Sequence, residues 1–385
     1  MVVYIRTQGA KIVREGRHLL VRKGGDIHHT LFTYKLRQLV LFGNVEITHS
    51  AFVHLMRYNV DTVFMSRTGR YLGRIAPPES KNVYLHKRQY ALLDDEAFGL
   101  RLARCIVAGK LSNMATFLLR IRRSRGDALA GQKASEIQRL MPLLESSDQI
   151  NSIRGYEGRG SALYFEALPR GFIGNLGFSR RVRRPPTDPV NSVLSLLYTF
   201  LMNRVYAAVR VAALDPYPGY LHAIDYGRFS LVLDLMEEFR VIIADSLALS
   251  LFNLRILKKE DFFTQKPGDE RPEESNAAPQ PDVSKDPMGL ISGSEMDEEI
   301  FDLPEQRMEE QATHILAQTG KHPVRLTDEA FRRVIEAFEK KMTTSFYHPL
   351  AGRSLTYEEA VLYQAAHYRK VIEGEAQVYQ PVLMK

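Results

Sequence analysis

Residues 230–252 constrain the fold more than any other stretch of this chain. Leu231, Val232, Leu235, Met236, Phe239 and Ile243 leave almost no polar side to a helix drawn through them. A helix that is apolar all round is a buried one, so it must be surrounded by other elements. It nevertheless carries Asp234, Glu237 and Glu238. Asp234 and Glu237 are three apart and share a face, and Glu238 also neighbours Asp234. Carboxylates in a buried helix require a partner. Arg240 offers one, as an ion pair with Glu237, and a metal cation is the other solution.

The rest of the chain supplies those surroundings unevenly. Its 385 residues suffice for two domains of ordinary size. Short apolar runs at 2–5, 18–21, 38–42, 45–47 and 62–65 lie between or beside Gly9, Gly16, Gly24, Gly43 and Gly69, the pattern of strands and turns. Residues 50–58 read as a short helix capped by Ser50. Near Asp94 the texture changes to helical periodicity, as in Ala103, Ile106, Val107, Met114, Phe117 and Ile121. A further helix is expected after Asp188 and Pro189. The expected fold class is α+β, with a small β-rich domain over 1–95 and a larger, mostly α-helical catalytic domain over 96–385. Residues 266–310 are rich in Pro, Glu, Asp, Ser and Gly and cannot bury enough apolar surface to offset their ordering entropy. They are expected to be a disordered acidic insertion, because helical patterning resumes at Asp328 and again at Tyr357.

Charge narrows the partners. The net charge is +7, but residues 266–310 hold 14 Asp/Glu against 4 Lys/Arg, which leaves +17 on the remainder. So basic a surface favours a polyanion, since each neutralised phosphate releases counterions. The single cysteine, Cys105, sits in an apolar stretch and reads as a structural thiol rather than a nucleophile. The N-terminal residues lack the zones of a signal peptide, and no run reaches the roughly 20 apolar residues of a membrane span. A cytoplasmic setting without membrane attachment is expected.

Two further residues stand out beside Glu237. Glu157 lies among Gly155, Gly158 and Gly160 and is followed by the apolar Leu163, Tyr164 and Phe165. Partial desolvation raises a carboxylate's pKa unless a cation offsets it. A metal, a helix cap or an ion pair with Arg154 or Arg159 would each serve. His222 closes a stiff Pro-, Gly- and Tyr-rich loop, Pro216 to Leu221, and is read either as a packed histidine or as a ligand. Two carboxylates and an imidazole are the inventory for a divalent metal with open positions. Arginines cluster at Arg120, Arg122, Arg123 and Arg125, and again at Arg180, Arg181, Arg183 and Arg184. The planar guanidinium fork suits phosphate, and the second cluster is expected to contact DNA.

Taken together these motifs resemble the CRISPR-associated integrase family, the Cas-one family. Arg154-Gly155-Tyr156-Glu157-Gly158 with Tyr164-Phe165 resembles its first ligand motif. Pro185-Pro186-Thr187-Asp188-Pro189-Val190-Asn191 with Tyr198 resembles its interior signature. Asp215-Pro216 through His222 resembles the histidine motif, and Asp234 through Arg240 the third ligand motif. Val241, where the family often has proline, and the acidic insertion are departures. The resemblance implies that Glu157, His222 and Glu237 hold Mg²⁺ or Mn²⁺, with Asp234 just outside or sharing the site. It implies a homodimer formed through the β domain, and a complex with the small ferredoxin-like CRISPR adaptation partner. It implies insertion of short foreign double-stranded DNA into the CRISPR array, by 3′-hydroxyl attack on a phosphodiester. The rival readings are a metal-dependent DNA nuclease using water and a non-catalytic DNA-binding scaffold.

Overall fold

The computed structural model describes residues 1–75, 82–182, 186–264 and 322–384. The acidic insertion expected at 266–310 lies outside the described residues. As expected, a strand-rich start is followed by a mostly helical remainder. The chain divides into two compact units, one built on residues 1–81 and the other starting at Asn82.

The first unit holds two four-stranded sheets. One runs β4 (Asp26–Phe32), β3 (His18–Lys23), β2 (Ala10–Glu15), β6 (Val45–Ile47). The other runs β1 (Val2–Ile5), β5 (Gln38–Phe42), β7 (Asp61–Met65), β8 (Tyr71–Ile75). Strand β5 is buried at every residue and pairs in parallel with β1 and β7, Gln38 facing Val2 and Asp61. That explains the four apolar residues that follow Gln38, the pattern of a strand covered on both faces. Helix α1 (His49–Arg57) contributes Leu55 to the core with Ile12, Leu19, Leu39 and Leu41. Its cap is Thr48, not the expected Ser50. Thr48 has the extended backbone that lets its hydroxyl accept from Ala51 N.

The second unit is built on α2 (Val83–Ala91), α3 (Glu96–Arg125), α4 (Ala128–Gln138), α5 (Leu140–Glu145), α6 (Ile150–Ala167), α7 (Pro189–Val211), α8 (Ser230–Phe239), α9 (Ser246–Asn253), α10 (Asp328–Met342) and α11 (Tyr357–Glu373). Strand β9 (Phe262–Thr264) pairs with β10 (Val324–Leu326), and β11 (Ser345–His348) with β12 (Arg353–Thr356). The division falls at Asn82 rather than at the expected 95/96, because α2 is tied to the helical unit. Arg88 donates to the Ile372 carbonyl, and Gln89 Nε2 to the Asp215 carbonyl at 3.1 Å. Helices α3 and α7 are long and apolar enough to cross a bilayer, which the sequence reading missed. They are instead packed inside this unit, with 67% and 83% of their most apolar windows buried. Helix α7 starts as the sequence predicts, with Asp188 accepting from Asn191 N and Pro189 in the first turn.

The chain's last described residues close the unit from behind. Asn113 on α3 donates through Nδ2 to the Glu238 carbonyl at 3.0 Å and the Val382 carbonyl at 2.9 Å, and accepts from Met384 N at 2.7 Å. The Glu238 carboxylate accepts from Tyr379 Oη, Gln364 Nε2 and Val382 N. Burial nonetheless pushes the Glu238 carboxyl up to about 7 against these donors. Because Asn113 is fully buried, Asn113→Ala leaves three backbone groups to find other partners. It should cost about 2–4 kcal/mol in a denaturant melt. It should also speed amide exchange at Val382 and Met384 while leaving the β-rich unit's exchange unchanged.

Candidate metal centre

Glu157, His222 and Glu237 come together, but not around a vacant point. Glu157 is in the middle of α6 rather than at a helix cap. The glycine that matters most there is Gly160, where a Cβ would stand 2.1 Å from Leu111 Cδ2, so its absence lets α6 approach α3. Across that contact α3 presents Lys110, whose side chain is only 5% exposed. Its ammonium pairs with Glu157 Oε1 and stands 2.6 Å from Glu237 Oε2. The second contact is a buried ion pair between groups 5% and 2% exposed. Ser161 Oγ donates to Glu157 Oε1 at 2.9 Å. Burial alone would raise the Glu237 carboxyl, but Arg240 (Nη2 to Oε1 3.2 Å) and then Lys110 outweigh it and hold the group at about 2. Burial likewise pulls the Lys110 ammonium down, yet Glu157 and Glu237 leave it above the usual lysine value.

His222 is fixed by Asp234. Asp234 Oδ2 accepts from Tyr220 N at 2.6 Å and Leu221 N at 3.0 Å. Oδ1 accepts from His222 N at 3.0 Å and faces His222 Nδ1 at 2.6 Å. A carboxylate in that position makes Nδ1 the protonated nitrogen and puts the imidazole lone pair on Nε2. Nε2 in turn lies 3.7 Å from Glu237 Oε1. Arg154 Nε holds the same loop through the Leu221 carbonyl at 2.7 Å. The loop reaches α8 because Gly219 has no side chain: a Cβ there would lie 2.5 Å from the Ser230 carbonyl carbon. The Asp234 expected beside the site is therefore the residue that orients it.

Behind Glu237 the helix changes pitch. Residues Arg240–Asp245 form a π turn joining α8 to α9, a feature that recurs at functional sites. Asp245 accepts from Tyr164 Oη at 2.8 Å and Tyr198 Oη at 2.7 Å, and burial pushes its carboxyl up to about 6. The Tyr198 ring has the Arg240 guanidinium 5.3 Å and the Arg181 guanidinium 5.4 Å from its centroid. Arg181 is further anchored by Asn191 Oδ1 at 2.9 Å and Ser195 Oγ at 3.1 Å. Glu157, Glu237, Lys110, Arg180, Arg181 and Arg240 all line one cleft of about 460 Å³. Of the predicted arginines, Arg183 and Arg184 lie outside the described residues. Cys105 is half-buried, with its thiol pushed up by burial, as suits a structural role.

The donor set fits a hard divalent ion: two carboxylates and an imidazole lone pair, buried together and already requiring a cation. Among the described residues no three His, Cys, Asp or Glu side chains close around a single ion position. The cationic position is held by Lys110, which sequence reasoning missed. The signal was available, since Lys110 continues the apolar face of Ala103, Ile106 and Val107.

Residues 3–270 match the profile of the family described as CRISPR associated protein Cas1. The chain belongs to the Cas1 family. It is 31% identical over 386 residues to CRISPR-associated endonuclease Cas1 3 of Thermus thermophilus, covering 100% of this chain and 97% of that one. Two solved structures share its fold. A casposase bound to integration product matches with TM-score 0.75 at 16% identity, covering 98% of this chain and 92% of that one. A chain of a Cas6-RT-Cas1–Cas2 complex matches with TM-score 0.76 at 22% identity, covering 100% of this chain and 36% of that one.

Two measurements probe this electrostatic arrangement. In metal-free protein, Lys110→Ala leaves two buried carboxylates facing each other and should cost about 3–5 kcal/mol of unfolding free energy. Saturating Mn²⁺ should restore part of that loss in the same melt. Asp245 titrates higher folded than its ordinary 3.8, so its stabilising contribution is full below about pH 4 and is lost as pH rises through about 6. Asp245→Asn should therefore gain on wild type between pH 4 and pH 7, by up to about 3 kcal/mol.

Proposed function

We propose that this chain is a divalent-metal-dependent DNA integrase and endonuclease of CRISPR spacer acquisition, with Glu157, His222 and Glu237 holding Mg²⁺ or Mn²⁺. The observation that carries the reading is that Glu157 on α6 and Glu237 on α8 share one buried cation, Lys110, while His222 Nε2 from the 216–222 loop lies 3.7 Å from Glu237 Oε1, in a Cas1-family chain. A relative named as an endonuclease and the fold shared with a casposase bound to integration product support it. The metal would polarise the scissile phosphate and favour the attacking oxyanion.

The chain's own residues do the rest. Asp234 keeps the His222 proton on Nδ1 and so aims the lone pair at the carboxylates. Lys110 and Arg240 keep Glu237 ionised. Arg180 and Arg240 line the cleft, where their charge neutralises converging phosphodiester strands. No protein nucleophile is required: the terminal 3′ hydroxyl of a captured short duplex attacks an array phosphodiester, and an array 3′ hydroxyl leaves. The +17 charge outside residues 266–310 serves double-stranded DNA, both captured and array. We further propose a homodimer through the β-rich unit, and a complex with the small ferredoxin-like adaptation partner, as the likeness to a chain of a Cas1–Cas2 assembly suggests. The array places this work in the cytoplasm.

The test is strand transfer of a labelled short duplex into an array plasmid, with and without the small partner, in Mn²⁺ or Mg²⁺. Wild type should join label to the plasmid, and EDTA should abolish it. Glu157→Gln, His222→Ala and Glu237→Gln should each lower the rate more than about a hundredfold, with DNA binding kept. Transfer retained in all three variants would overturn the site assignment. Label that is only shortened indicates hydrolysis, and binding with no metal-dependent change indicates a scaffold.

A further inference from the structure

Segment 379–384, which follows α11, lies against the two helices that carry Lys110 and Glu237. On α3 it fills a notch: a Cβ on Gly109 would stand 2.5 Å from Pro381 Cβ and 2.6 Å from Pro381 Cγ. Four residues on, and so on the same face of α3, the Asn113 amide holds the Val382 carbonyl and Met384 N. On α8 the Glu238 carboxylate accepts from Tyr379 Oη and Val382 N. Gln364 of α11 donates to that carboxylate and to the Gln380 carbonyl, each at 3.0 Å. Tyr379 and Val382 are both buried, so the segment has a packed seat.

Both seats stand next to the ion cluster in sequence. Gly109 precedes Lys110, and Glu238 follows Glu237. Neighbouring residues of a helix point about 100° apart, so the segment meets one face of each helix while the cluster occupies the adjoining one. The segment does not line the cleft that holds Lys110, Glu157 and Glu237. Val382, Leu383 and Met384 line a second cavity instead, of about 220 Å³, and the two share no lining residue. Any influence on the metal centre therefore passes through the helices. Turning α8 enough to carry Glu237 away from Lys110 would pull the Glu238 carboxylate off its three donors, and a buried carboxylate left without them is costly. Moving α3 would break the Asn113 bonds, one of which joins the Glu238 carbonyl of α8 directly at 3.0 Å. The ion pair alone does not impose this precision, because Coulomb attraction falls only as the inverse of distance. A small divalent ion does require it, since Mg²⁺ demands near-ideal octahedral geometry.

We propose that segment 379–384 positions the metal centre without touching it, by fixing α8 against α3 so that Glu237 is presented in one place. Tyr379, Pro381 and Val382 are positioning residues that act on Glu237 through Glu238 and Gly109. The proposal rests on the reading that Glu157, His222 and Glu237 take a divalent metal.

The experiment is Mn²⁺ binding to the full-length chain without DNA, followed by loss of the free-ion EPR signal well below the melting temperature of each variant. Gly109→Ala forces Pro381 from its notch and should weaken binding about tenfold, the lower end of the loss on removing a group that orients a metal ligand. Adding Pro381→Gly removes both atoms in the way, leaving only the Cα, 3.9 Å from the new methyl, and should recover most of the affinity. Full affinity in folded Gly109→Ala overturns the proposal and leaves the segment as packing alone. A loss that Pro381→Gly does not recover also overturns it, by placing the fault in α3 itself. If Gly109→Ala does not fold, Tyr379→Phe decides the matter. Removing that one donor from Glu238 should weaken Mn²⁺ binding about threefold, and unchanged binding overturns the proposal. Wild type that takes up no Mn²⁺, or keeps its affinity after Glu237→Gln, overturns the metal reading itself, and this inference with it.

Discussion

An ammonium buried between two carboxylates holds the helical unit together at its centre. Removing a lysine from water costs several kcal/mol, and removing two glutamates costs as much again. Neither step is tolerable alone. Lys110 on α3, Glu157 on α6 and Glu237 on α8 make one another admissible, and Ser161 and Arg240 satisfy further carboxylate lone pairs. Three helices are thereby specified relative to one another by charge, where apolar packing alone tolerates sliding. The neighbouring features serve this contact. Gly160 lets α6 close on α3. Asn113, almost one turn beyond Lys110, fastens α3 to α8 and to the chain's end.

Under the proposed function, the same cluster accounts for a site that takes a divalent ion and still folds without one. Two carboxylates facing each other in a dry interior repel strongly. A resident lysine removes that repulsion and keeps Glu237 ionised, so under the proposed reading a metal would meet that carboxylate already deprotonated. Asp234 does the corresponding work for the imidazole. By accepting three backbone N–H groups and facing His222 Nδ1, it sets loop path, ring orientation and tautomer together.

Much of this was legible in the sequence, and the reasons differ by residue. Glu237 stood out because a carboxylate in an all-apolar helix must be compensated. Its pairing with Arg240 followed from helical spacing alone. The start of α7 was readable from Asp188 and Pro189, whose roles are local. Glu157 was found through its glycines, although the partner that compensates it was not among the neighbours considered, Arg154 and Arg159. Gly160 serves a contact with Leu111, 49 positions earlier, and helix propensity yields to such packing. Lys110 was overlooked because its partners are distant in sequence, and a lysine on an apolar stripe also reads as a snorkelling side chain. The first boundary was misplaced for a similar reason. Helix α2 follows strands in sequence but spends its hydrogen bonds on Ile372 and Asp215.

The π turn has a consequence in the arithmetic of the chain. Each residue of an α-helix turns the next by about 100°, so positions five apart, such as Arg240 and Asp245, would point well away from each other. The wider turn over Arg240–Asp245 brings both to the first cleft. It amounts to one residue more than a regular helix needs. Lose that residue and α8 and α9 would both survive as helices, with Glu237 untouched. Asp245 would then follow Arg240 by four positions, about 40° round a regular helix, and would still face the first cleft. The stretch 241–244 therefore tolerates the loss of one apolar residue far better than the gain of one, which would carry Asp245 away from Tyr164 and Tyr198, although nothing in its composition announces that its length is being counted.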